Sequence, residues 1–266
     1  MKRRKTIGLA LGSGAYRGFA HIGVIRSLEK HNIPVDFLSG TSIGAWVAAY
    51  YAIYQDLALL EKDLAGNIKE NLPLLFDFSR SGVIGGQKFS NYLEQKLQRY
   101  SFANLRIPLQ IAATDLANGQ AYVFKSGDVA RAVRASTSVP LVFKPLTDEG
   151  RVLVDGGMSN PVPCNLVKEM GADIVIGVNL YNTNEFSKSR PSITDIPWRS
   201  SVIMLYNLSQ ASMSVADIII EPDLSAFRQA SGLSKYFDQG TARKMMEAGE
   251  RAANAAIPAI RKLLAA

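Results

Sequence analysis

The sequence predicts an α/β fold with a mostly parallel sheet, and three observations carry that reading. Short apolar runs alternate with longer stretches of helical spacing along the whole chain. Two of the apolar runs end in glycine-rich turns that lead straight into helices. Apolar residues make up 47% and charged residues 20%, a balance that excludes bulk disorder and allows a substantial core in 266 residues. No repeat, low-complexity tract or linker interrupts the pattern, so residues 1–266 read as one domain, with a motif-bearing core over about 6–180 and a helical part over about 195–266.

In chain order, residues 6–11 read as a buried strand and 17–30 as a helix with Phe19, Ile22, Ile25 and Leu28 on one face. Residues 35–38 form a second strand, 45–54 a buried helix, and 56–64 continue helical. A helix follows at 87–99, with Phe89, Leu93 and Leu97 aligned. Residues 109–113 read as a central strand, and Asn118-Gly119 signals a hairpin returning through 121–124. Asp128 caps a helix to Ser136, and 151–154 is a strand closed by Asp155-Gly156-Gly157. A helix from Pro163 leads to a strand at 173–178. Residues 182–197 are polar and turn-rich, the expected place for a mobile loop or lid. A helix (198–215), a short strand (218–220) and a terminal helix (237–264) complete the chain.

The net charge of +7 suits anionic partners. Basic residues are dispersed, however, and no nucleic-acid motif is present, so nucleic acid is not expected as a partner. The one cluster, Lys2 to Lys5, reads as a solvated end, with peripheral contact to an anionic membrane as its other reading. The apolar core 7–11 is too short for a signal peptide and the run 45–54 too short to span a bilayer, so a cytoplasmic protein is expected. A single cysteine, Cys164, fits a reducing compartment, and with only His21 and His31 as imidazoles no metal-ligand cluster can be assembled.

The first glycine run, Gly8 to Gly18, holds either a cofactor's pyrophosphate or the oxygen of a reacting carbonyl. A dinucleotide loop needs Gly-x-Gly-x-x-Gly, but here Gly12-x-Gly14 is followed by Gly18 one residue late. The nearest acid, Asp36, begins the second strand when it should end it. That strand instead runs into Gly40-Thr-Ser42-Ile-Gly44, the Gly-x-Ser-x-Gly elbow that projects a serine above a sheet at a helix start. A plain helix cap by Thr41 or Ser42 is the alternative. No histidine follows residue 31, so the usual Ser–acid–His order fails. His21 reads as a packed or capping residue, and Cys164 as a packed one. The carboxylate best placed to act as base is Asp155, at a strand end before two glycines.

Taken together, the glycine loop, Gly-Thr-Ser-Ile-Gly and Asp-Gly-Gly resemble the patatin-like phospholipase family. Similar segments include Ala113-Thr-Asp115, Ala135 to Pro140 with Phe143, and Asn160 to Pro163; the resemblance covers roughly residues 6–180. It implies a three-layer α/β/α sandwich and hydrolysis of acyl-ester lipids, typically phospholipids or lysophospholipids, by a Ser–Asp dyad without metal or cofactor. Carried over, Ser42 matches the nucleophile and Asp155 its partner acid, flanked by Gly156 and Gly157. Backbone N–H groups of Gly14 and Ala15, with Ile43, would form the oxyanion hole. Gly12, Gly18 and Arg17 would support the loop, Arg17 alternatively meeting a head group or lying solvated. Ser13 and Ala15 replace two of the family's three leading glycines. A cost at Ala15 is expected if the position needs positive φ. A regulatory or lipid-binding module with weakened catalysis is therefore the alternative function, and a thioester or small soluble ester the alternative substrate.

Overall fold

The computed structural model describes residues 3–65, 85–97, 100–181, 193, 195–227 and 239–266. Among these residues eight strands form one mixed sheet: β1 (Ile7–Leu11), β2 (Phe37–Thr41), β3 (Leu109–Asp115), β4 (Ala121–Phe124), β5 (Leu146–Asp148), β6 (Arg151–Asp155), β7 (Ile174–Val178) and β8 (Ile218–Ile220). Their order is β5-β6-β3-β2-β1-β7-β8, with β4 also pairing to β3. Neighbours from β3 through β8 run parallel, while β4, β5 and β6 pair antiparallel, so the expected mostly parallel sheet is present. The helices are α1 (Phe19–Lys30), α2 (Ile43–Tyr54), α3 (Leu57–Ala65), α4 (Gln87–Lys96), α5 (Val129–Ser136), α6 (Cys164–Glu169), α7 (Asp195–Ser212) and α8 (Gln239–Ala265).

Strand alternation divides the core between two faces of unequal depth. Ile7, Leu9 and Leu11 of β1 and Ile174, Ile176 and Val178 of β7 join the large cluster with α1, α2 and α8. Ala10 and Val175 face the other way, against Val162, Cys164, Val167 and Met213. That second face is built from small residues so that α6 can lie close. A Cβ at Gly8 would come within 2.6 Å of Val167, and one at Gly177 within 2.7 Å of the Cys164 sulfur. Cys164 is thus packed, and burial pushes its thiol up to about 12, where it is inert at neutral pH. On the first face α1 and α8 touch backbone to backbone. A Cβ at Gly23 would collide with the Met246 carbonyl and one at Gly249 with that of Ala20.

Several boundaries differ from the sequence reading. The first helix begins at Phe19, after a 3-10 turn over Ala15–Gly18, because Gly14 to Arg17 follow the shape of the loop. The second strand begins at Phe37 and runs on through Thr41, so it carries Gly40 into the sheet. Strand β5 was not expected; it is a three-residue piece beside β6, too short for a period to show. Helix α7 starts at Asp195 and takes in Pro197, which is tolerated in a first turn where the missing N–H has no partner to lose. The expected lid at 182–197 falls largely outside the described residues. No helix among the described residues is long and apolar enough to cross a membrane.

Candidate active site

The strand register brings the candidate serine and carboxylate to one level of the sheet. Thr41 on β2 faces Ala112 on β3, and the next residue, Ala113, faces Asp155 on β6. Ser42 and Asp155 therefore end their strands side by side, about two strand spacings (~10 Å) apart at the backbone. Their side chains close the gap: Ser42 Oγ donates to Asp155 Oδ2 at 2.5 Å, and both residues are buried.

Ser42 occupies a strained elbow, with φ 56° and ψ −123°. For a residue with a Cβ such a backbone costs on the order of 1–3 kcal/mol and needs firm support around it. Part of that support comes from Ser136 at the end of α5, a residue not anticipated from sequence. The Ser42 backbone N–H donates to Ser136 Oγ at 2.7 Å, and Ser136 Oγ donates to the Ala112 carbonyl at 2.7 Å. Thr41 Oγ1 donates to the Asn160 carbonyl at 2.7 Å, tying the end of β2 to the segment after Asp155. The elbow glycines permit backbone crossing. A Cβ at Gly44 would lie 2.1 Å from the Leu11 carbonyl oxygen, and one at Gly40 2.5 Å from the Ala45 Cα.

Asp155 is held on three sides. Its Oδ1 accepts from the Gly157 N–H at 2.8 Å, its backbone N–H donates to the Ser138 carbonyl at 2.9 Å, and its own carbonyl accepts from Thr114 Oγ1 at 2.9 Å. Gly156 lets the turn pass, since a Cβ there would sit 2.1 Å from the Ala112 carbonyl oxygen. Burial raises the carboxyl to about 6, against the lowering pull of the bonds from Ser42 and Gly157.

The glycine loop wraps over the end of β1. The N–H groups of Gly12 and Ser13 are spent on the Val178 and Pro161 carbonyls, at 3.0 and 2.8 Å. Gly14 and Ala15 supply the next two N–H groups of the loop, and Ile43 stands at the first position of α2, where helix N–H groups lack intrahelical partners. Ala15 takes φ +53°, so the position does require the left-handed region that glycine favours. Gly18 gives the loop its contact with the elbow, since a Cβ there would overlap Ile43 at 2.1 Å. A Cβ at Gly12 would meet the Val178 carbonyl oxygen at 2.7 Å.

Arg17 is buried, not solvated. Its Nε donates to the Gly14 carbonyl at 3.0 Å, and its guanidinium lies 4.5 Å from the centre of the Tyr181 ring. The Ser13 hydroxyl donates to the Tyr181 hydroxyl at 3.3 Å, so Ser13 is tied into the loop's support. His21 is also support. Fully buried and lowered to about 4 by desolvation, it stays neutral and its Nε2 lies 2.7 Å from the Gly12 carbonyl. Its Nδ1 has no hydrogen-bond partner, which places the proton on Nε2. Asp36 lies before β2, accepting from the Ile7 N–H at 2.8 Å and from Arg4, at the opposite end of β1 from the glycine loop.

Fold and site together define an α/β protein with a serine at a strand–helix elbow and a buried carboxylate as its direct partner. The patatin-like phospholipase family profile matches residues 9–168, and the chain belongs to that family. It is 32% identical over 186 residues to lysophospholipase NTE1 of Pyricularia oryzae, covering 68% of this chain and 12% of that protein. Human patatin-like phospholipase domain-containing protein 6 is 32% identical over 187 residues, 68% of this chain and 14% of that protein. The chain thus spans under a sixth of these relatives' length. Among solved structures, VipD from Legionella pneumophila superposes with a TM-score of 0.62 at 12% identity, over 99% of this chain and 67% of that one, a likeness of fold.

Proposed function

We propose that this protein is a serine acyl-ester hydrolase acting on phospholipids or lysophospholipids through Ser42 and Asp155. The observation that carries the reading is the 2.5 Å contact between Ser42 Oγ and a buried Asp155 carboxylate at a strained elbow. Family membership and the names of the lysophospholipase relatives support the substrate class.

In the ground state Asp155 is ionised and accepts the Ser42 proton. As Oγ attacks the ester carbonyl carbon, the proton moves to Asp155 Oδ2 and the carbonyl π electrons pass to oxygen. The N–H groups of Gly14 and Ala15, with that of Ile43, hold the resulting oxyanion; one such donor is typically worth about 3 kcal/mol in the transition state. Collapse expels the alcohol, which takes the proton back from Asp155 and leaves Ser42 acylated. Water then attacks the acyl-enzyme with Asp155 again as base, releasing the fatty acid and restoring Ser42. Arg17 and His21 act at one remove, fixing the carbonyls of Gly14 and Gly12 so that the loop's N–H groups converge. In this reading Arg17 supports the loop and does not meet the head group.

A second reading, a lipid-binding module with weakened catalysis, is favoured by one observation, the positive φ of Ala15 in place of glycine. A fluorophosphonate probe followed by intact-protein mass spectrometry separates the two. One adduct on the wild type, absent from Ser42→Ala, is the expected result. A folded wild type that takes no adduct would move the binding-module reading to the front.

A further inference from the structure

The segment Ser138 to Lys144 links α5 to β5 and presents an unusual tip. Leu141 is 93% exposed with φ +67°, and Val142 beside it is 36% exposed. The N–H groups of Val142 and Phe143 both donate to the Val139 carbonyl, at 3.1 and 2.9 Å. A turn with proline at its first central position and positive φ at its second is type II, and that second position belongs to glycine or asparagine. Here a leucine occupies it, strained at the backbone and almost bare to solvent. Folding alone gains nothing from that choice.

The tip does not hang on a loose loop. Buried Arg134 clamps both its feet, donating from Nη1 to Ser138 Oγ at 2.6 Å and from Nη2 to the Lys144 carbonyl at 2.9 Å. Phe143 stacks on Phe89 with ring centres 5.5 Å apart and lies 5.5 Å from the Arg134 guanidinium carbon. One foot is also a support of the site, because the Ser138 carbonyl accepts the Asp155 backbone N–H. A second bare apolar side chain, Met158 at 44% exposure, stands on the turn that follows Asp155. From Ala135 to Thr147 the only charged residue is Lys144, and the whole chain carries +7.

We propose that the Leu141 turn is a rigid anchor that docks the protein on an anionic phospholipid surface beside the Ser42–Asp155 pair. The choice of a lipid as occupant rests on the hydrolase reading above. The chemistry of the turn fits it: leucine and valine enter the acyl boundary, the lysine meets lipid phosphates, and no carboxylate on the segment opposes them. The clamp keeps the tip extended before contact, so little ordering entropy is lost on docking.

The test uses the full chain and vesicles of ether-linked phosphatidylcholine and phosphatidylglycerol in equal parts, which offer no ester to cleave. Binding is read by co-sedimentation, independent of turnover. Leu141→Asn removes the apolar tip and relieves the positive φ, so it should melt no lower than the wild type while binding at least about tenfold more weakly. Leu141→Phe keeps an apolar tip and should bind as well as the wild type. Equal binding by wild type and Leu141→Asn, no binding by wild type, or a change in oligomeric state as the only effect would overturn the proposal. Leu141-dependent binding by a protein that hydrolyses no ester would support the docking and remove the hydrolase reading.

Discussion

A serine hydroxyl beside a carboxylate is a weak nucleophile while that carboxylate keeps the ordinary affinity for protons of an exposed aspartate, near pKa 4. Burial alters this for Asp155, raising it to about 6 although Ser42 and Gly157 both stabilise its anion. A base poised there takes a proton more readily than an exposed aspartate and is still ionised at neutral pH. Hydrolysis should therefore rise with pH through about 6 and level off above it, since only the ionised carboxylate can accept the Ser42 proton. A profile of kcat/KM for a short-chain ester checks this; a limb centred near 4 would mean that Asp155 is solvated during turnover. Asp155→Asn should abolish the limb together with the activity. His21 adds no limb in this range, because it is neutral down to about 4 and carries its proton toward Gly12.

The glycine loop is the element that carries an alanine at positive φ, and its strain is local and measurable. The left-handed region costs a non-glycine residue about 1–2 kcal/mol, while glycine costs about 0.5–1 kcal/mol through the freedom it adds to the unfolded chain. Ala15→Gly should accordingly raise stability by up to about 1 kcal/mol, read as a higher denaturant midpoint at unchanged slope. A lowered midpoint would show that the Ala15 methyl group contributes more by packing than its backbone loses. Elements of this kind were legible to different depths. Ser42, Asp155 and the turns around them could be read from sequence because each needs small residues at fixed spacing, and the spacing survives in the chain. Support from Ser136 and Tyr181 could not be assigned, because these residues reach the site through contacts of long sequence separation, 94 residues for Ser42 and Ser136 and 168 for Ser13 and Tyr181. His21 lies only 9 residues from Gly12, and its reading as a packed or capping residue did not name the carbonyl it meets. The extent of β2 was also misread, since Gly40 and Thr41 look like turn residues until β3 and the Asn160 carbonyl hold them extended.

At the scale of the whole molecule, two buried groups among the described residues push the pH dependence of stability in opposite directions. Asp155 titrates near 6 in the fold against 3.8 unfolded, so between these values the folded state holds the extra proton and stability falls as pH rises. His21 titrates near 4 in the fold against 6.5 unfolded, so there the unfolded state holds the extra proton and stability rises with pH. Each difference of roughly two units or a little more corresponds to on the order of 3 kcal/mol, and the two slopes oppose one another across about pH 4 to 6. Asp36, Asp115 and Asp173, all lowered by hydrogen bonds and nearby cations, add stability that is lost only as pH falls below the ordinary aspartate range. The wild type should therefore show a nearly flat stability between about pH 4 and pH 6. Asp155→Asn removes one side of the balance: its stability should climb by about 3 kcal/mol between pH 4 and 6.5 and exceed that of the wild type above pH 6. Urea unfolding of both proteins across this range makes the comparison, and a variant as flat as the wild type would show that Asp155 carries no buried charge. In the proposed mechanism the same buried charge that disfavours the fold above pH 6 is the one the chemistry draws on, so such a site would be held against stability by the sheet register and the loops around it.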